Sequence, residues 1–276
     1  MNPERCLVMG ILNRTPDSFF DGGRMALTDA VAHGIAMVEQ GADIIDVGAV
    51  KAGPGPHVDE AEEIARLIPL VRELKSATQI PLSIETSSPR VAEEAFEVGA
   101  SILNDVTGLA DPALAKVCAG AQGTIVLMHH GGQLRGRPRH PRYEDVVVDV
   151  IETWKRLADE AVSAGVDPGS IVVDPGLDFG KTTFHSLELV RRLDELVACG
   201  WPVLVAPSNK DVVGETLGLP LDQRLEGTLA LVALSAQKGA AIVRVHDVRP
   251  AVRAVAMVEA VVGHRPPVAP LRGLWD

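Results

Sequence analysis

The chain has 276 residues, of which 46% are hydrophobic and only 3% aromatic, and its formal net charge is −11. That length suits one large α/β domain or two ordinary domains, and an acidic balance argues against a general nucleic-acid binder, which needs clustered Lys and Arg. No apolar run reaches the length of about 18 residues that a membrane span needs, and the first apolar run is too short for a signal sequence.

The three cysteines, Cys6, Cys118 and Cys199, lie far apart and form no CxxC pair. An odd number of isolated cysteines in apolar segments indicates reduced thiols. The sequence therefore predicts a cytoplasmic protein that binds neither nucleic acid nor a membrane.

Eight short apolar runs, each ending in polar residues, recur along the chain. Several follow a glycine that ends a helix-like segment, as in GADIIDV from Gly41 and GASILND from Gly99. Their length and β-branched content predict buried parallel strands. In chain order the predicted strands are Cys6–Leu12, Asp43–Val47, Pro81–Glu85, Ser101–Asn104, Thr124–Met128, Ile171–Asp174, Pro202–Ala206 and Ala241–Val245.

Helical patterns separate these runs, for example at Asp59–Lys75, at Asp145–Ala164 and, last in the chain, at about Pro250–Val262. Eight strands alternating with helices predict an α/β protein with a (β/α)8 TIM barrel, and a doubly wound sheet is the alternative. No linker or shift in composition divides the chain, so residues 1–276 are expected to form a single domain.

In such barrels the chemistry lies where strands end and loops begin. Polar strand ends also occur because they meet water, but Asn104 and Asp174 close apolar runs, where an unpaired polar group is costly. The sequence therefore predicts a functional site at this face. The polar residues that follow the strands are, in order, Asn13, Asp46, Glu85, Asn104 with Asp105, His129, Asp174, Ser208 with Lys210, and Arg244 with His246.

Four stretches are more specific: MGILNRTPDSFFDGG (9–23), VVDPGLDFGK (172–181), LVAPSNKDVVG (204–214) and IVRVHDV (242–248). In this order, and over essentially the whole chain, they resemble dihydropteroate synthase. The resemblance implies a Mg²⁺-dependent transferase of folate biosynthesis. It would condense 6-hydroxymethyl-7,8-dihydropterin pyrophosphate with p-aminobenzoate to 7,8-dihydropteroate, as a cytoplasmic homodimer.

The resemblance also assigns two ends of the site. A carboxylate such as Asp174 suits the guanidine-like edge of the pterin ring. Arg244 offers a planar fork to the diphosphate, His246 points the same way two residues on, and Asn13 is expected to contact phosphate and Mg²⁺. The residues expected to bind the pterin are Glu85, which stands where the family has aspartate, Asn104, Asp174 and Lys210.

The catalytic residues implied by the resemblance are Lys210, Arg244 and His246. The side of the site that receives p-aminobenzoate is expected to include Phe19, Pro54, Phe179 and Ser208.

The loop after the second predicted strand departs from the family. It reads GAVKAGPG (48–55) where the family has GGESTRPG, so Ala52 and Gly53 replace a threonine and an arginine. Losing two charge-assisted contacts in the transition state would slow turnover by roughly tens- to thousands-fold. The signatures NRTPDSF and VKAGPG resemble a divergent second branch of the family. The alternative is therefore an inactive or repurposed pterin-binding paralogue outside folate synthesis, with Lys51 a candidate substitute for the arginine.

The sequence also allows weaker alternatives. Methyl transfer from methyltetrahydrofolate would explain Asp174 and Asn104 but not the phosphate-suited pair Arg244 and His246. A class I aldolase would use Lys210 as a Schiff-base residue. The pair His129-His130 suggests a metal site but lacks a third ligand at suitable spacing. Residues 131–142 form a basic loop, either solvated or folded over an anionic ligand.

Overall fold

The computed structural model describes residues 5–13, 27–49, 58–132 and 141–272. Within these ranges, eight parallel strands alternate with helices along the chain. The strands are β1 (Leu7–Asn13), β2 (Ile44–Gly48), β3 (Leu82–Glu85), β4 (Ile102–Asp105), β5 (Thr124–Met128), β6 (Ile171–Asp174), β7 (Leu204–Val205) and β8 (Ile242–Val245).

The strands lie side by side in the order β6-β5-β4-β3-β2-β1-β8-β7. A parallel bridge between Val173 in β6 and Val203, next to β7, brings the two ends of this order together. The Val173 N–H donates to the carbonyl of Pro202 at 3.0 Å. The fold is therefore a nearly closed (β/α)8 barrel, as the alternation of strands and helices predicted, and not a doubly wound sheet.

The helices cover the outside of the barrel, and in the described part of the chain none is long and apolar enough to cross a membrane. They are α1 (Leu27–Glu39), α2 (Glu60–Ala77), α3 (Pro89–Glu97), α4 (Ala113–Gly120), α5 (Val146–Ser163), α6 (Thr183–Arg191), α7 (Leu193–Val197), α8 (Asp211–Leu217), α9 (Leu225–Gln237) and α10 (Val248–Val261).

All eight predicted strands are confirmed within two residues at each end. The largest difference is at β7, which begins at Leu204 and not at Pro202. Proline has no N–H to donate to a strand ladder, so the regular pairing starts after it. The helix prediction at Asp145 also agrees with the structure, because Asp145 caps α5 by accepting from the Val147 N–H at 2.8 Å.

Two apolar layers hold the barrel together. The larger layer lies between the strands and the helices and includes fully buried Trp154 and Leu67. The smaller one fills the barrel interior and forms a closed floor. The floor residues are Met9, Ile44, Ile102, Val126, Val172, Leu204, Ala206 and Ile242.

Candidate functional site

A polar layer lies directly above the apolar floor of the barrel. Residues two apart on a strand point to the same face, so a polar residue two positions after a floor residue also points inward. The two-residue spacing along each strand therefore brings these polar side chains together above the floor. The polar residues placed in this way are Asp46 after Ile44, Asn104 after Ile102, Asp174 after Val172, Ser208 after Ala206 and Arg244 after Ile242.

Arg244 lies at the centre of this layer and is held by two carboxylates. Its Nε donates to Asp46 Oδ2 at 2.6 Å, and its Nη2 donates to Glu85 Oε2 at 2.5 Å. The same Asp46 oxygen accepts from Asn104 Nδ2 at 3.0 Å. Burial acts to lower the pKa of Arg244, but Asp46 and Glu85 outweigh it, so the pKa is raised and the guanidinium stays charged.

Asp174 presents one free carboxylate oxygen to the barrel mouth. Its Oδ1 accepts from the Gly176 N–H at 2.6 Å, whereas Oδ2 has no hydrogen-bond partner among the described residues. Burial raises the pKa of this carboxyl, opposed by the Gly176 N–H and by Lys210 and Arg244. A ligand with N–H donors would satisfy the free oxygen and favour the charged carboxylate.

Trp154 on α5 fixes the end of β6. Its indole Nε1 donates to the backbone carbonyl of Asp174 at 3.2 Å, and the ring is fully buried. A buried indole N–H needs a partner, so the helix and the strand end are joined at one defined point. This contact sets the position of the Asp174 carboxylate relative to the outer ring of helices.

Lys181 fastens the loop that follows β6. Its Nζ contacts the carbonyl oxygens of His129, Gly176 and Phe179 at 2.9–3.0 Å and lies 2.8 Å from His129 Nδ1. Burial lowers the pKa of Lys181 to about 7. The contacts to three carbonyls give this lysine a structural role in holding the loop.

His129 links Lys181 to Asp149 at the surface, because its Nε2 lies 2.7 Å from Asp149 Oδ1. Burial and the charge of Lys181 lower the pKa of His129 to about 4, so the ring is neutral near pH 7. A neutral ring that donates from Nε2 to Asp149 can accept from Lys181 at Nδ1. The neighbouring His130 contacts the start of the next loop, because its Nδ1 accepts from the Gly132 N–H at 3.1 Å. In the described part of the chain no cluster of three or more metal-ligating side chains occurs.

Lys210 also contacts the loop that follows β6. Its Nζ donates to the Leu177 carbonyl at 2.9 Å and lies 4.2 Å from the centre of the Phe179 ring. Loss of water lowers the pKa of Lys210, and Asp178 and Asp174 oppose that change. The loop therefore places a cation and an aromatic ring together at the mouth.

Ser208 and His246 form a pair between the ends of β7 and β8. Ser208 Oγ lies 2.9 Å from His246 Nδ1 and accepts from the His246 backbone N–H at 3.1 Å. Partial desolvation, together with the positive charges of Arg244 and Lys210, lowers the pKa of His246. A neutral imidazole whose Nδ1 accepts from the serine has Nε2–H left as a donor.

Asn13 ends β1 and pairs in register with Gly48 of β2. A Cβ on Gly48 would stand 3.0 Å from Asn13 Oδ1, so the absence of a side chain leaves room for the amide oxygen at the mouth. Phe19 and Pro54, and with them Lys51, Ala52 and Gly53, lie outside the described residues.

Two strand-end residues differ from expectation. Asp105 turns away from the site and holds the next loop, accepting from Thr107 N–H at 2.8 Å and Leu109 N–H at 2.5 Å. Asp46 received no role from the sequence, yet it contacts both Arg244 and Asn104. The signal for Asp46 is its position two residues after Ile44, which points it inward like the other polar residues.

Comparison with known proteins gives one consistent result. The sequence profile of the pterin binding enzyme family matches residues 9–246. "Inactive dihydropteroate synthase 2" of Mycobacterium leprae is 49% identical, covering 98% of this chain and 96% of that protein. "Dihydropteroate synthase" of the same organism is 46% identical, covering 92% of each chain.

A solved dihydropteroate synthase from Xanthomonas albilineans with 4-aminobenzoic acid superposes with a TM-score of 0.88 at 38% identity, covering 97% of this chain and 95% of that one. Overall identity does not separate the two Mycobacterium leprae relatives, because 49% and 46% are nearly equal. The side chains of the site must therefore decide what this chain does.

Proposed function

This chain belongs to the pterin binding enzyme family, and we propose that it acts as a dihydropteroate synthase-type transferase. It would condense 6-hydroxymethyl-7,8-dihydropterin pyrophosphate with p-aminobenzoate to 7,8-dihydropteroate and pyrophosphate. The relatives named as synthases and the arrangement of polar residues above the barrel floor support this proposal.

The observation that carries the proposal is the free oxygen of Asp174, which belongs to the same inward-facing polar layer as Asn104. Asp174 is only 5% exposed, and Asn104 only 2%. Buried acceptors are costly unless a donor reaches them. The amino group and ring N–H of a pterin present adjacent donors, which a buried carboxylate and amide bind well.

The other end of the site suits a diphosphate. Arg244, Lys210 and the Nε2–H of His246 present positive charge and donors at the same mouth. In the reaction the bond between the exocyclic carbon and the diphosphate oxygen breaks, and the electron pair leaves with the diphosphate. The aniline nitrogen then bonds to that carbon and releases a proton. The cations of the mouth stabilise the charge that develops on the leaving group.

Asn13 is the residue proposed to hold Mg²⁺. Mg²⁺ prefers oxygen ligands, keeps several waters and commonly takes substrate phosphates as its remaining ligands. The amide oxygen of Asn13, for which Gly48 leaves room, can supply one such ligand, with water and the diphosphate supplying the others. The bound ion would neutralise charge on the diphosphate.

Phe179 and Ser208 are proposed to border the acceptor. The Phe179 ring lies under Lys210, whose charge suits a carboxylate such as that of p-aminobenzoate, and Ser208 holds His246 in place. The related structure from Xanthomonas albilineans contains 4-aminobenzoic acid, which supports an acceptor of this kind.

Pyrophosphate release measures the proposed reaction directly. Turnover should require both p-aminobenzoate and Mg²⁺, and Asp174→Asn should abolish it together with pterin binding in calorimetry. Glu160→Gln on the outer face of α5 is the matched control and should leave both unchanged. Binding of the pterin pyrophosphate without any release of pyrophosphate would refute the transferase proposal.

The second candidate is a pterin-binding protein without turnover. It is favoured by the 49% identity to a relative named inactive, together with the replacement of the loop threonine and arginine by Ala52 and Gly53. Here the pterin pyrophosphate would bind, but a single-turnover experiment would yield no dihydropteroate. A double variant, Ala52→Thr with Gly53→Arg, should gain synthase activity if those losses are the only defect.

We propose further that the chain acts as a single-domain homodimer in the cytoplasm. The free thiols of Cys6, Cys118 and Cys199 suit a reducing compartment. Helices α6, α8 and α9 pack against one another and expose apolar side chains, including Phe184 at 81% and Leu217 at 52%. Light scattering should give twice the chain mass, and Phe184→Asp should shift it towards the monomer.

A further inference from the structure

Glu85 contributes to the site by binding Arg244. The Glu85 side chain is only 7% exposed and the Arg244 side chain 15%, so their 2.5 Å contact is shielded from water. Asp46, fully buried on the neighbouring strand, already pairs with Nε of the same guanidinium. Arg244 therefore faces two carboxylates, and only Nη1 is without a hydrogen-bond partner among the described residues.

The length of the Glu85 side chain makes the second contact possible. Glu85 is the last residue of β3, whereas Arg244 comes from β8, and β2 and β1 separate those two strands. An aspartate would hold its carboxylate about one carbon–carbon bond, or ~1.5 Å, further back. The direct contact would then open to about 4 Å, beyond hydrogen-bonding distance.

We propose that Glu85 limits the affinity of this site for phosphate by competing with it for Arg244, so that a pterin diphosphate binds less tightly than it would with an aspartate at this position. This inference rests on the proposed pterin-binding function. A phosphate that approached Arg244 through Nη1 would lie beside the negative charge of Glu85. It would have to displace Glu85 from Nη2 to obtain the two-donor contact that makes arginine a strong phosphate ligand.

The residues expected to hold the pterin ring at the other end of the pocket make no direct contact with Glu85 in the described part of the chain. Asp174 is held by the Gly176 N–H and Trp154, and neither contact involves Glu85. Asn104 is oriented by Asp46. Changing Glu85 should therefore alter the affinity for phosphate more than the affinity for the pterin ring.

Calorimetry with two matched ligands tests this separation. Compared with wild type, Glu85→Asp should bind 6-hydroxymethyl-7,8-dihydropterin pyrophosphate about ten- to a hundredfold more tightly. Its affinity for unphosphorylated 6-hydroxymethyl-7,8-dihydropterin should change much less. Glu85→Gln keeps the length of the side chain but removes its charge. It should therefore also tighten binding of the pyrophosphate relative to wild type, although by less than Glu85→Asp does.

Two controls sharpen the result. Glu93→Asp makes the same chemical change on the exposed face of α3 and should change neither affinity. With Arg244→Gln as background, Glu85→Asp should have no effect, because the competition needs the guanidinium. Equal changes for the two ligands, or unchanged affinities in folded Glu85→Asp and Glu85→Gln, would overturn the inference.

Binding of inorganic pyrophosphate with Mg²⁺ distinguishes a failure of this inference from a failure of the proposed function. If no pterin binds to any variant, the proposed function fails. Tighter binding of pyrophosphate to Glu85→Asp than to wild type would still support the competition between Glu85 and phosphate. Equal binding of pyrophosphate to both proteins would contradict it.

Discussion

At the scale of single residues, the site depends on how buried charges are paired. Asp46 contacts both Arg244 and Asn104, whereas Glu85 contacts Arg244 alone. Removing one partner of a buried ion pair is strongly destabilising, because the remaining charge keeps its desolvation cost. The two carboxylates should therefore contribute differently to stability as well as to binding.

Asp46→Asn should lower the free energy of unfolding by about 3 kcal/mol, because a fully buried carboxylate loses its charge opposite Arg244. Glu85→Gln should cost less, since Glu85 contacts Arg244 alone whereas Asp46 also accepts from Asn104. Urea unfolding of both variants measures the difference. Asp159→Asn on the surface of α5 is the matched control, and an equal loss for Asp46→Asn and Glu85→Gln would contradict this ranking.

At the scale of elements, the loop after β6 is the part of the site with the most internal support. Lys181 binds the carbonyls of Gly176 and Phe179, and Lys210 binds the carbonyl of Leu177. Asp178 connects the loop to α8 by accepting from the Val212 N–H at 3.1 Å. One short loop therefore fixes the aromatic ring, the cation and the start of a helix.

Lys181→Met should lower the free energy of unfolding by roughly 3 kcal/mol, because buried carbonyls lose their donor. It should also weaken binding of p-aminobenzoate, since the Phe179 ring would no longer be held under Lys210. Thermal unfolding and calorimetry in the presence of pyrophosphate measure these two effects. Lys116→Met on α4 serves as a control away from the mouth, and full affinity in folded Lys181→Met would show that the loop is fixed by its other contacts.

The contact between His129, Lys181 and Asp149 predicts a loss of stability in acid. Because the folded-state pKa of His129 is about 4 and the ordinary value is 6.5, the unfolded chain takes up a proton that the folded protein refuses. The stability that depends on neutral His129 is therefore fully present above pH 6.5 and is lost as the pH falls towards 4.

This loss should reach roughly 3 kcal/mol, since each unit of pKa difference corresponds to about 1.4 kcal/mol. Urea midpoints at several pH values should show a steeper decrease between pH 6.5 and 4 for wild type than for His129→Gln. Parallel decreases in the two proteins would assign the acid sensitivity to other groups.

At the scale of the whole molecule, the alternation of apolar runs and helical patterns was sufficient to predict the barrel. Each strand is short, β-branched and bounded by glycine or polar residues, so its limits follow from local chemistry. The inward direction of Asp46, Asn104, Asp174 and Arg244 also follows from a two-residue period along their strands. Strand limits and side-chain direction both depend on residues close together in the chain, so both could be predicted from the sequence.

The contact between Glu85 and Arg244 could not be predicted in the same way. It joins residues 159 positions apart, across the barrel. Whether a carboxylate spans that gap depends on the barrel radius and on the path of the arginine side chain, and neither can be read from spacing. Asp105 looked equivalent to Asn104 in sequence, but adjacent strand residues point to opposite faces.

Ligand binding should stabilise the whole barrel, because the site joins residues from most of its strands. At a concentration of pterin pyrophosphate 100 times its dissociation constant, the free energy of unfolding should rise by about 2.7 kcal/mol. Differential scanning calorimetry should show a higher Tm with this ligand and Mg²⁺ than without them. Asp174→Asn should show no shift, and an equal shift in that variant would place binding outside the site.

The apolar floor formed by Met9, Ile44 and their neighbours fills the barrel interior below the site. Anything that reaches Asp174 must enter and leave through the same opening at the mouth. A molecule bound nearer the mouth, beside Phe179, then blocks the path of the one below it. The kinetics should therefore follow a compulsory order, with the pterin first to arrive, and isotope-trapping of bound pterin should show no escape once p-aminobenzoate is saturating.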